Sequence, residues 1–103
     1  MFPPSTEQAI YHIRLAAGAG IADAQYDLGV LLLPTHAEEA VRYFKLAAEQ
    51  GNADAKYNLG LCYVGGMGVA PSREEAIRYL ELAVAQKQPK AAQALELVLM
   101  TFT

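Results

Sequence analysis

The side chains here that could do covalent chemistry are few: one cysteine, Cys62, two histidines, His12 and His36, and two serines, Ser5 and Ser72. A nucleophilic thiol needs a neighbouring cation to lower its pKa. Cys62 instead follows Leu61 in an apolar stretch, so it is expected to pack as a small hydrophobe. Neither histidine has a second ligand four residues on, and there is no HExxH, no Cys/His pair and no Asp-rich loop, so no metal is expected. Glu38-Glu39 and Glu74-Glu75 resemble acid/base pairs. Adjacent residues on a helix do not face each other, however, and carboxylates in a first turn complement the helix dipole. Gly65-Gly66-Met67-Gly68 has the composition of a phosphate cradle. A dinucleotide loop needs a preceding strand and a P-loop needs Gly-Lys-Ser/Thr, and neither is present. These residues predict no catalytic group, no cofactor and no enzyme.

The elements that carry these residues repeat. ADAQYDLG at 22–29 returns as ADAKYNLG at 53–60, a shift of 31 with six of eight positions identical, and EEAVRYFKLAAEQ at 38–50 returns as EEAIRYLELAVAQ at 74–86, a shift of 36. The extra residues fall in 63–72, which is how a loop changes length. Partial copies flank these two at 9–26 and 86–96. One domain, 1–103, is therefore expected, with full repeats at 22–52 and 53–88 and half repeats at 5–21 and 89–100.

Each half repeat has helical periodicity. Ala40, Tyr43, Phe44, Leu46, Ala47 and Ala48 recur at spacings of three and four. Thr35-x-x-Glu38, Ser72-x-x-Glu75 and Ser5-x-x-Gln8 read as capping boxes, Asn52 and Pro89 suit helix starts, and Gly18 or Gly20 and Gly51 read as left-handed stops. Six helices are expected, at 6–18, 22–33, 36–50, 53–64, 73–86 and 89–100. Gly29 and Gly60 fall inside helices at a cost of about 1 kcal/mol each, so a close helix approach is expected to compensate. Helical pairs of this length cannot bury their own faces and must stack, which makes the fold an all-α, short αα-solenoid.

Composition narrows the role. Eight Lys plus Arg against eleven Asp plus Glu leave a net charge of −3, with no basic cluster to release counterions, so nucleic acid is not an expected partner. The longest apolar runs, 30–33 and 97–100, are far too short to span a bilayer, so no membrane insertion is expected. A single cysteine and the absence of a visible signal segment lead to a cytoplasmic expectation.

A small-residue start, Leu-Gly, an aromatic, Gly-x-Gly-Val, then Ala, two aromatics and a Lys-Ala-Ala-x-x-Gly ending form the pattern by which this chain is similar to Sel1-like repeats, a tetratricopeptide-like family. In the second unit the resemblance rests on Ala55, Leu59, Gly60, Tyr63, Gly66-Met67-Gly68-Val69, Ser72, Ala76, Tyr79, Leu82 and Ala83. Ser72 stands where the family often has Asp, Tyr43 and Tyr79 where Trp is frequent, and the first unit lacks the glycine loop. The resemblance implies a protein-interaction scaffold that uses the inner face of its superhelix. Cysteine-rich relatives linked to β-lactam hydrolysis would need an activated serine near a lysine, and no Ser-x-x-Lys is present.

If the first helix of each pair lines that face, Asp23, Tyr26 and Val30 project together, as do Asp54, Tyr57 and Leu61, then Lys90, Gln93 and Leu97. They form an acidic edge, a tyrosine row and an aliphatic row suited to an apolar protein or peptide segment with basic flanks. The segment 94–102 carries one charge and large apolar residues all round, so a homodimer through the C-terminal helix is also expected. The alternative function is a self-associating structural unit or an inhibitory partner of one specific protein.

Overall fold

Apolar residues at spacings of three and four, interrupted by Gly- and Pro-containing segments, wind into six antiparallel helices in the computed structural model, which describes residues 6–101. These are α1 (Thr6–Gly18), α2 (Ala22–Leu32), α3 (Ala37–Glu49), α4 (Ala53–Gly65), α5 (Arg73–Ala85) and α6 (Ala91–Thr101), with no strand among the described residues. The expected bounds hold to within two residues. α2 packs most extensively on α3 and α4 on α5, so each full repeat is a helix pair, and α3 against α4 joins the two. α1 lies on α2, α6 lies on α5, and α4 also touches α6. Stacking of neighbours in chain order gives an elongated body of 52 × 25 × 24 Å, as expected of a solenoid.

Each pair closes on a glycine. A Cβ at Gly29 would sit 2.6 Å from Phe44 Cε1, and one at Gly60 would sit 2.7 Å from Leu80 Cγ. Phe44 and Leu80 are fully buried, as are Ala40, Ala47, Ala55, Ala76 and Ala83, so small residues let each pair approach closely. The core then runs along the stack through Leu28, Leu32, Val41, Leu59 and Cys62.

Helix starts follow the sequence at two of the expected places. The Asn52 side chain accepts from Ala55 N at 2.8 Å, and Ser72 Oγ accepts from Glu75 N at 3.1 Å. Thr35 does not cap α3, contrary to expectation. His36 occupies the cap position without a side-chain cap bond, and Thr35 Oγ1 lies 2.8 Å from His36 Nδ1. The short linker from α2 displaces the hydroxyl by one residue from the place where it could reach the first turn. Pro89 precedes α6 in a turn, and Ser5 lies outside the described residues.

Helix ends repeat more strictly. Gly20 and Gly51 adopt φ of +89° and +95°, and the third copy of this stop is Lys87, at φ 63°. All three ends share one hydrogen-bond pattern. Ile21 N donates to Ala16 O, Asn52 N to Ala47 O and Gln88 N to Ala83 O. A left-handed lysine is strained where glycine is not.

The glycine loop is structural. Gly66 closes α4 in the left-handed conformation, Met67 N donates to Cys62 O at 2.9 Å, and Ser72 N donates to Tyr63 O at 3.0 Å. Gly68 lies against the Ala37 carbonyl and Val41 Cγ2, leaving no room for a side chain, and Val69 packs on the core. The loop thereby fastens the second unit to the start of α3.

Candidate functional site

Of the nine residues expected to meet a partner, eight lie on the first helices, α2, α4 and α6, and Lys90 lies in the turn just before α6, which starts two residues later than expected. Asp23, Val30, Asp54, Lys90, Gln93 and Leu97 are exposed, while Tyr26, Tyr57 and Leu61 are half-buried. Tyr26 packs beside Phe44 with ring centroids 6.0 Å apart. Burial pushes its phenol pKa up and the Asp54 charge adds to this, while a hydrogen bond with Asn58 pulls it down. The tyrosine therefore links α2 to α4 as well as presenting an edge to solvent. The aliphatic row is more open at its ends, with Val30 at 42% and Leu97 at 55% exposure.

The acidic edge also holds the stack together. Asn52 Nδ2 donates to Asp23 Oδ1 at 3.3 Å, and Gln88 Nε2 donates to Asp54 Oδ1 at 3.2 Å. Beside them Gln50 Nε2 donates to Gly20 O at 2.9 Å and to Gln25 Oε1 at 2.8 Å, and Gln86 Nε2 donates to Gly51 O at 2.7 Å. The glutamine rung thus joins each unit to its predecessor through a backbone carbonyl. Sequence reasoning left this network out, although Gln50 and Gln86 are equivalent positions of the repeat.

A second feature lies on the other side, between α3 and α5. Lys45, Glu49, Lys56, Tyr63, Glu75, Arg78, Tyr79 and Leu82 surround a hollow of about 410 Å³. Tyr63 and Tyr79 stack within 9° of parallel at 5.8 Å, and the Arg78 guanidinium lies 4.4 Å from the Tyr79 ring centroid. Arg78 also pairs with Glu75 at 2.7 Å, and that hydrogen bond holds the Glu75 carboxyl below its ordinary pKa. The one sequence signal for this hollow was Tyr63 standing where the first unit has Leu32.

The groups with potential for covalent chemistry are dispersed. Cys62 is fully buried, and desolvation pushes its thiol up to about 11, so it is protonated at neutral pH. Ser72 is occupied as a cap, His12 packs edge-on to Tyr11 at 5.4 Å, and His36 bonds Thr35. Among the described residues no three His, Cys, Asp or Glu side chains converge as a metal site, and no helix is long and apolar enough to cross a membrane. Among the described residues these groups stand apart, each engaged in packing, a cap or a neighbouring side chain.

Helix pairs closed on Leu-Gly, with a Gly-x-Gly-Val loop docked on the preceding helix, match the pattern of one family at residues 2–21, 22–34, 37–52 and 53–87, described as the Sel1 repeat. The chain belongs to the Sel1 repeat family. A Sel1 repeat protein from Oxalobacter formigenes has a solved structure similar to this chain, with 32% identity and a TM-score of 0.77, the match covering 86% of this chain. This chain spans 27% of the length of that protein. No curated protein sequence matches it. Sel1 repeats share the tetratricopeptide-like helical architecture typical of protein–protein interaction scaffolds.

Proposed function

We propose that this Sel1 chain is an interaction module whose first helices take an apolar protein segment with basic flanks. The reading rests on one observation. Val30, Leu61 and Leu97 stand at the same register of the repeat on α2, α4 and α6, and Val30 and Leu97 are exposed, which supports reading them as an aliphatic row. Asp23, Asp27 and Asp54 lie exposed beside it on α2 and α4, which favours cationic flanks. Tyr26 and Tyr57 supply aromatic edges at low entropic cost. The lone buried Cys62 suits a reducing, cytoplasmic setting.

The test is affinity capture from the source cell followed by titration of the captured partner. Tyr57→Ala is expected to weaken binding by about 1–3 kcal/mol while helical content is kept, and unchanged affinity in a folded variant rejects this face.

A specific observation favours self-association as a second reading. On α6, Leu97, Leu99 and Met100 are 55%, 49% and 71% exposed, an apolar patch that a second copy of this helix would cover. In this reading two copies meet through α6 with a micromolar or tighter Kd. Light scattering is expected to show a dimer at about 100 μM and a monomer for Leu97→Glu, and a monomeric parent at that concentration ends the reading.

A further inference from the structure

The repeat makes the hollow between α3 and α5 comparable, residue by residue, with the corresponding place between α1 and α3. There, Arg14 of α1 reaches across to Glu39 of α3 at 3.3 Å, with Gln25 and Leu32 buried on α2. The equivalent positions one unit later are Lys45, Glu75, Lys56 and Tyr63. Glu75 pairs with Arg78 on its own helix and, although it feels the Lys45 charge, makes no ion pair with it, so the cross-groove bridge is missing. Lys56 stands half-buried where Gln25 is buried, and its ammonium is satisfied by the neutral Gln86 Oε1. Among the described residues neither Lys45 nor Lys56 is in an ion pair.

We propose that the groove between α3 and α5 is a second docking site, which receives an acidic segment of a partner protein. Charge complementarity selects that partner. The charged groups around the hollow are Lys45, Lys56, Arg78, Glu49 and Glu75, and the Arg78–Glu75 pair neutralises itself. Two ammonium groups then face one carboxylate, Glu49, while the first helices carry the exposed aspartates. An acidic segment docked here would meet these two ammonium groups, and a basic segment would be repelled. The apolar part of the segment is set by the groove wall. Leu82, 39% exposed, and the Tyr63–Tyr79 stack offer a flat, preorganised surface. The occupant is therefore a stretch in which carboxylates are interleaved with leucine or aromatic side chains. This site is independent of the row on the first helices, and together they give the module two faces of opposite preference.

The experiment is fluorescence anisotropy with three labelled probes: a short peptide of alternating glutamate and leucine, its lysine–leucine counterpart, and a polyglutamate of the same length. Unlabelled inorganic phosphate and vesicles of anionic phospholipid serve as competitors. The glutamate–leucine peptide is expected to bind most tightly, and the double variant Lys45→Glu/Lys56→Glu to weaken it at least tenfold with circular dichroism unchanged. Lys45→Gln/Lys56→Gln, a milder change, is expected to weaken it severalfold. Arg73→Glu, on an exposed residue outside the groove, changes the net charge as much as the glutamine double variant does and is expected to leave affinity unchanged. Equal loss in that control, insensitivity to both double variants, or preference for the lysine–leucine peptide overturns the proposal. Displacement by millimolar phosphate or by the vesicles as effectively as by unlabelled peptide also overturns it, because the site is then an anion or membrane contact.

Discussion

The unit at 22–52 closes its helix pair on a rigid ring, Phe44 against Gly29, and the unit at 53–88 closes on a branched chain, Leu80 against Gly60. The first turns from α2 into α3 through a linker too short for Thr35 to cap, and the second uses a longer glycine loop that sets Ser72 in place and seats Gly68 on Ala37. Both reach the same packing of one helix on the next. What the repeat conserves is thus the space between helices, and the side chains and connections that achieve it vary.

Several substitutions sharpen or break this contrast. The largest effect is expected at the glycines. Gly60→Leu should destabilise by about 3 kcal/mol through overpacking, despite better helix propensity, and a melting temperature at or above the parent's rejects the close-packing account. With the smaller Ala, Gly29 should suffer more than Gly60, because a planar ring at 2.6 Å has fewer ways to yield than a leucine at 2.7 Å. Equal denaturation midpoints for the two alanine variants would break the distinction between ring and branched chain.

The next effect belongs to the second unit alone, since the first has exposed Leu31 where the second has buried Cys62. The unfolded thiol ionises near 9.0 and the folded one near 11, so the unfolded state loses its proton first. The stability associated with Cys62 is complete below pH 9.0 and falls as the pH rises toward 11, by about 2 kcal/mol. Urea melts of the parent and Cys62→Ala across that window should diverge in slope, the variant being flatter. Iodoacetamide should likewise modify Cys62 only on unfolding.

Capping separates the units more gently. Ser72→Ala is expected to cost about 1 kcal/mol, and Thr35→Ala only a few tenths, as measured by chemical denaturation. Comparable losses at the two positions would show that Thr35 caps α3 in solution. The smallest change is a gain. Lys87→Gly relieves the left-handed conformation at the third helix stop and should stabilise by about 0.5–1 kcal/mol, whereas Gly51→Lys should destabilise by a similar amount.

Much of the fold was legible because helices report themselves locally. Periodicity, the Asn52 and Ser72 caps and the Gly20 and Gly51 stops depend on residues within one or two turns, and Gly29 and Gly60 betray a close neighbour by their cost. The Thr35 cap was misread because a capping box says which residues could bond but not whether the preceding linker lets the hydroxyl reach. The candidate surfaces were less legible. That Val30 and Leu97 share a register follows from spacing, but that Tyr26 is half-buried against Phe44 depends on how α2 and α4 are set relative to each other. The α3–α5 groove arises from three helices and from Glu75 choosing Arg78 over Lys45, a competition between two cations that no linear pattern encodes.

The glutamine rung has a consequence for how such chains change length. Gln50 and Gln86 both bond to a main-chain oxygen at the end of the preceding unit, Gly20 O and Gly51 O. A main-chain oxygen is present whatever residue stands there, as the lysine at the third stop illustrates. A duplicated unit would therefore arrive with its fastening already matched, needing no compensating mutation in the unit it joins. Arrays built on this junction can grow or shrink by whole units while each groove between them is free to acquire its own side chains and its own preference.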